Sequence, residues 1–364
     1  MKEHKYPCVE INLTHLKENV TEVNKRCQEH GIDMIGVIKG ATGLPLVAKQ
    51  YIEGGAKMIA SSRLEQIEDC IEFGLDTKYL CLRVPMLSEV DDIVRLTEYS
   101  LNSEYKVINA LNHAAKEQNK IHNVILMADL GDLREGFWNK SELVDVATKI
   151  ENEMDNIVLS GVGTNLGCYG SILPTKDKLD ELVEIAEKIE NKIGRKLEYI
   201  SGGATTSLMR LWDGDMPKRI NMLRVGEGVI LGKDNERFFG YDMSCLHKDT
   251  LVLKSEVIEV KDKPTHPIGE LGIDAFGHKP VYEDRGIRRR ALLGIGKVDY
   301  GDPFELKPMQ EGIQILGASS DHTIIDVEDY NGELEVGDVL TFEIFYATMV
   351  YLTNCRNVKI FYIK

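Results

Sequence analysis

Short apolar runs alternate with helically spaced segments from Met34 to Arg224. Eight runs read as strands: Met34–Lys39, Lys57–Ala60, Tyr79–Arg83, Tyr99–Leu101, Asn123–Asp129, Ile157–Thr164, Glu198–Ser201 and Ile220–Arg224. Between them, Leu64–Ile71, Val107–Lys116, Leu143–Ile150 and Leu179–Ile193 carry apolar residues at i, i+3 and i+4, the spacing of one helix face. Strands alternating with helices build parallel β-α-β units, so the pattern predicts an α/β chain that opens with a (β/α)8 TIM barrel.

The pattern changes near Lys233. The runs Leu251–Val260, Arg290–Ile295, Ile313–Ala318, His322–Val327, Val339–Phe345 and Val358–Tyr362 are broken by Gly, Pro and Asp and have little helical period. They predict a mostly antiparallel β domain. The expected division is a barrel over residues 1–235 and a β domain over 236–364, with the crossing between Lys233 and Leu251.

Composition narrows the function classes. With 43% hydrophobic and 28% charged residues, the chain reads as an ordinary globular protein. Its net charge of -15 disfavours nucleic acid and anionic membrane as partners, since both select Lys/Arg surfaces. The stretch Met1–Tyr6 is polar, and no run reaches the ~18 apolar residues of a membrane span. Seven cysteines, an odd number without a C-x-x-C pair, point to reduced thiols and a cytoplasmic location. His and Cys do not cluster at ligand spacing, which predicts no metal.

In a (β/α)8 barrel the chemistry sits at the C-terminal strand ends. The first strand ends in Ile38-Lys39-Gly40. A lysine there either reaches solvent or is partly desolvated, and desolvation frees its amine as a nucleophile toward an aldehyde. The fifth is followed by Asp129-Leu130-Gly131-Asp132-Leu133-Arg134-Glu135-Gly136, which is either a solvated turn or a loop aiming Arg134 over the mouth. A guanidinium suits a carboxylate or phosphate because its planar fork binds them bidentately. Asn165-Leu166-Gly167-Cys168-Tyr169-Gly170 follows the sixth. Ser201-Gly202-Gly203-Ala204-Thr205-Thr206-Ser207 follows the seventh, and Arg224-Val225-Gly226-Glu227-Gly228 the eighth. Small residues at these last two ends suit an anion, and barrels often hold phosphate there. A lysine, two arginines and a phosphate nest on one face are the equipment for a phosphorylated aldehyde such as pyridoxal 5'-phosphate.

On these strings the chain resembles the alanine racemase-like group of fold-type III pyridoxal-phosphate enzymes. Leu82-Arg83-Val84-Pro85-Met86-Leu87, Leu223-Arg224-Val225-Gly226-Glu227, Asp274-Ala275-Phe276-Gly277, Tyr282-Glu283-Asp284 and Leu316-Gly317-Ala318-Ser319-Ser320-Asp321-His322 carry the resemblance further. It implies a racemase of a free amino acid, with ornithine as leading substrate. It also implies a homodimer whose active site is shared between subunits. By resemblance Lys39 holds the cofactor and serves as one acid/base, and Arg134 lies near the substrate carboxylate. Thr205, Thr206, Gly226, the amide of Glu227 and Tyr346 reach the phosphate. Arg224 faces the pyridine nitrogen, and Asn165, Ser201 and Gly203 complete the cofactor set. An arginine there does not surrender a proton, so the ring stays a weaker electron sink, which favours racemisation over transamination.

Two positions depart from the family. Asn165 stands where alanine racemases have a His, and Phe276 stands where they have a tyrosine acid/base. A two-base racemase needs a proton donor on each face of Cα. Either Lys39 serves both faces or the second comes from Asp321, His322, Tyr282, His278, Asp274 or Cys168, with Asp321 preferred because its loop is the one the family places against the partner's site. A cationic side chain would also need acids, which Asp274, Glu283, Asp284 and Asp321 supply. The competing readings are a racemase of lysine, arginine, alanine or serine, a pyridoxal-phosphate lyase, and a non-catalytic carrier. The related lyases use a metal, and the His/Cys pair they need is missing from the last domain. The carriers are typically single barrels.

Overall fold

A computed structural model describes residues 5–279 and 281–364. The first four residues of the polar N-terminal stretch lie outside the described residues. The chain forms two compact units, Thr14–Lys248 and Met1–Leu13 together with Asp249–Lys364. The first strand, β1 (Cys8–Asn12), belongs to the second of these.

The Thr14–Lys248 unit is a closed barrel of eight parallel strands. They are β2 (Asp33–Val37), β3 (Met58–Ser61), β4 (Tyr79–Cys81), β5 (Tyr99–Asn102), β6 (His122–Met127), β7 (Ile157–Gly163), β8 (Tyr199–Ser201) and β9 (Met222–Val225). Each overlaps one of the apolar runs read from the pattern. Helices cover the outer faces and side chains fill the interior, so these strands are buried on both faces and read as unbroken apolar runs. The interior is packed by Ile35, Val37, Met58, Leu80, Tyr99, Ile125, Met127, Tyr199 and Met222.

Local chemistry fixes where the helices begin and end. Asn139 caps helix Lys140–Glu153 by accepting from the N–H groups of Ser141 and Glu142. Thr175 caps Lys176–Ile193, which stops at Gly194 with φ 76°. No helix among the described residues is long and apolar enough to cross a membrane.

The other unit is an eight-stranded sheet. Its strands after β1 are β10 (Leu251–Pro264), β11 (Ile287–Leu293), β12 (Leu306–Pro308), β13 (Gln314–Ala318), β14 (Thr323–Asp326), β15 (Val339–Ile344) and β16 (Lys359–Ile363). The order β12-β15-β10-β11-β14-β13 is antiparallel throughout. β1 lies antiparallel to β10 and parallel to β16. Along β10, buried Leu251, Leu253, Ser255 and Val257 alternate with more exposed residues, as a one-sided antiparallel strand requires. The pattern of short runs broken by Gly, Pro and Asp located six of these strands. It missed the three-residue β12, too short to show alternation, and β1, whose partners are supplied only from distant sequence.

Candidate active site

Barrel closure brings the eight C-terminal strand ends to one mouth. Past β2 the chain turns through a short 3-10 segment, Lys39–Ala41, and leaves it at Thr42 and Gly43 with φ of 49° and 71°. Lys39 stands at the start of this turn in a protein surround that leaves its side chain exposed. That surround is the first cause that holds its ammonium below the ordinary lysine value. The positive charge of Arg134 adds to the effect, Cys168 and Glu135 oppose it, and Arg224 adds further.

Arg224, on β9, is buried. Its Nη2 donates to the carbonyl of Thr164 at 2.7 Å, just past β7, and its Nη1 to the hydroxyl of Ser201 on β8. Burial draws the guanidinium down to about 10, which leaves it a cation at neutral pH. The Arg224 N–H donates to the carbonyl of Gly203 at 3.0 Å. Gly203 has φ 116°, and a Cβ there would stand 2.5 Å from the Ser207 hydroxyl, so only glycine suits the turn.

The strand-end turns are knitted together. The Thr206 hydroxyl donates to the carbonyl of Leu166 at 3.1 Å. That of Thr205 accepts from the N–H of Gly228 at 3.1 Å. Glu227 opens helix Glu227–Ile230, so its own N–H has no intrahelical acceptor. Its carboxylate accepts from the N–H groups of Lys233 and Asp234, and its second oxygen is buried without a partner. Burial, then the charge of Asp234, pushes that carboxyl upward. The side-chain amide nitrogen of Asn165 is a second buried polar atom without a partner.

Two carboxylates that the sequence reading left without a role organise the loops after β6 and β7. Asp129 accepts from the N–H groups of Gly131 at 2.8 Å and Leu133 at 3.1 Å. Buried Asp132 accepts from the N–H groups of Cys168 at 3.2 Å, Tyr169 at 3.0 Å and Ile172 at 3.4 Å, so it joins the two loops. Arg134 follows two residues later. Its Nη2 donates to Glu135 at 2.5 Å and its Nη1 to the Cys168 sulfur at 2.8 Å. The sequence signal for Asp129 was its place before a turn glycine, where Asp accepts from nearby N–H groups.

The structure thus gathers Lys39, Arg134, Asn165, Ser201, Gly203, Thr205, Thr206, Arg224, Gly226 and Glu227 on the strand ends or the loops that follow them in one unit. Asp321 and Tyr346 belong to the β unit. Asp321 is exposed between β13 and β14, and Tyr346 begins helix Tyr346–Leu352. Phe276 is exposed on the segment between β10 and β11, with the Lys297 ammonium 4.2 Å from its ring centroid. On the same segment Asp274 accepts from the N–H groups of Phe276 and His278.

Comparison with known proteins adds an independent line. A family profile, the N-terminal domain of alanine racemase, matches residues 11–233. The chain is 40% identical over 345 residues to an ornithine racemase of Acetoanaerobium sticklandii, covering 95% of this chain and 96% of that one. It is 37% identical over 347 residues to a lysine racemase of Thermotoga maritima, covering 95% of each. Among solved structures, the alanine racemase of D-cycloserine-producing Streptomyces lavendulae superposes with a TM-score of 0.76 at 17% identity, over 100% of this chain and 98% of that one.

The depressed value of Lys39 has a consequence for stability. Its charged form is penalised in the folded state, so the penalty is full below the depressed value and fades as pH rises from there to 10.5. Lys39→Met is expected to make the ligand-free protein more stable than wild type at neutral pH. In urea unfolding the difference should shrink as the pH rises toward the ordinary lysine value, and a difference independent of pH would contradict the desolvation of this amine.

Proposed function

The chain belongs to the alanine racemase family of amino-acid racemases, and on that premise we propose that it interconverts L- and D-ornithine with pyridoxal 5'-phosphate as cofactor. The observation that carries the reading is the set of groups at one barrel mouth: the amine of Lys39, a buried cation at Arg224 and glycine turns after β8 and β9.

These residues fit the cofactor. A Cβ at Gly203 would strike Ser207, and the Gly226 turn packs closely on β2, where an added Cβ would come within 3.2 Å of the Val37 carbonyl. The unpartnered Asn165 amide is a buried donor that a polar ligand would satisfy. Lys39 would hold the aldehyde, and Arg224 would face the ring nitrogen. Thr205, Thr206, Gly226, the amide of Glu227 and Tyr346 would hold the phosphate, with Ser201 and Gly203 completing the cofactor set. When bound, the cofactor supplies an electron-withdrawing ring that acidifies the Cα proton of an amino acid joined to it. Lys39 takes or returns that proton at Nζ on one face, and its lowered value favours the neutral amine that accepts it. Arg134 orients the substrate carboxylate, and Glu135 holds the guanidinium in place. Arg224 stays protonated and leaves the ring nitrogen without a transferable proton.

Asp321 is our assignment for the second proton donor, delivered from the β unit of a partner subunit. Exposed apolar side chains on three loops of the mouth, Met86, Leu87, Leu133, Trp138, Tyr169 and Leu173, support a homodimer, because such patches are normally covered. The seven unpaired cysteines accord with the reducing cytosol.

Lysine is the second substrate reading, favoured by the Thermotoga maritima relative. One methylene is commonly discriminated by only ~1–3 kcal/mol, so both amino acids belong in the assay. With L-ornithine in D2O, the cofactor-loaded protein is expected to lose optical rotation and gain Cα deuterium, and Lys39→Ala to do neither. Exchange on lysine but not ornithine would reassign the substrate. An intact cofactor band with exchange on neither would end the racemase reading for both. In the same assay Asp321→Asn should exchange the Cα proton of one enantiomer without racemising it, whereas full racemisation would remove Asp321 from the mechanism. Sedimentation should give twice the 41.0 kDa chain mass, and a monomer would refute the shared site.

A further inference from the structure

Tyr51 lies on helix Pro45–Glu53 and is fully buried. Its ring rests on Gly36 of β2, where an added Cβ would fall 2.5 Å from the ring. The absence of a side chain at Gly36 is therefore what admits the tyrosine. From there the hydroxyl donates to the carbonyl of Gly226 at 3.0 Å and lies 3.4 Å from the carbonyl of Val37. β2 and β9 are neighbours in the barrel, with Gly36 opposite Val225. One hydroxyl thus spans two adjacent strand ends, one leading to Lys39 and the other to the turn after β9.

We propose that Tyr51 is a positioning residue that orients the Glu227 N–H toward the cofactor phosphate; this rests on the preceding reading that the Gly226–Glu227 turn holds that phosphate. The Gly226 carbonyl and the Glu227 N–H belong to one peptide group, which is planar and trans, so they point in opposite directions. A carbonyl drawn inward by the Tyr51 hydroxyl turns the N–H outward, away from the helix packed on β2. The same carbonyl accepts from the N–H groups of Val229 and Ile230 at 3.2 and 3.1 Å. Helix start and tyrosine therefore fix the peptide plane together. Burial, then the charge of Glu227, holds the phenol well above its ordinary value, so it stays a donor. Tyr51 touches neither substrate nor cofactor in this scheme.

Tyr51→Phe keeps every apolar contact of the ring and removes only the hydroxyl. The test titrates the cofactor-free enzyme with pyridoxal 5'-phosphate and, separately, with pyridoxal, which has the same ring and aldehyde but no phosphate. Absorbance reports occupancy at Lys39, and thermal melting confirms the fold. The phosphorylated ligand should bind the variant about tenfold more weakly, the size of one lost buried hydrogen bond, with pyridoxal unchanged. Equal weakening of both ligands would show general loosening around Lys39 and overturn the inference, as would unchanged affinity for the phosphorylated one. A wild type that binds both ligands equally would instead sink the phosphate reading itself.

Discussion

The arrangement of the barrel mouth depends on the buried guanidinium of Arg224. A charge so far from water is tolerated only when its donors are satisfied, because desolvating an unpaired ion costs several kcal/mol. Arg224 places two of its donors, on Thr164 and Ser201, one past β7 and one on β8, while its own strand carries the turn of Gly226. Three consecutive strand ends are thereby held to one geometry. Its charge also contributes to the depressed value of Lys39, so the group that secures the scaffold also tunes the amine.

Around this centre, carboxylates and hydroxyls do the work that regular structure cannot do in loops. Asp129 closes its own turn, and Asp132 binds three N–H groups of the next loop. Thr205 and Thr206 tie the turn after β8 to Gly228 and Leu166 on either side. A loop whose backbone groups are satisfied in this way behaves as part of the framework, and it can present Arg134 at a defined place.

Much of the fold was legible because burial dictates residue type. A strand covered on both faces must be apolar at successive positions, and Val124 to Ala128, all fully buried, state this directly. Lys39 and Arg224 stood out for the opposite reason, as charges at the ends of apolar strands. Asp132 did not, since an aspartate in a glycine-rich loop reads the same whether it faces water or three amides. Tyr51 was hidden as an apolar position on a helix, because its hydroxyl partner lies 175 residues away. The strand β1 was hidden likewise, its register with Leu251 to Lys254 being a property of the folded chain.

By itself the sequence determined the number and order of the barrel strands, the change to antiparallel pairing after the barrel, and the residue types that stand at each strand end. These follow from local periodicity and burial, which each segment carries within itself. The tertiary structure alone decided which partners those residues meet: Arg224 with Ser201 and Thr164, Asp132 with the Cys168 loop, Tyr51 with Gly226. Hydrogen bonds between distant segments require the chain to close first, and their acceptors are largely backbone carbonyls, which leave no mark on the identity of the residue that bears them.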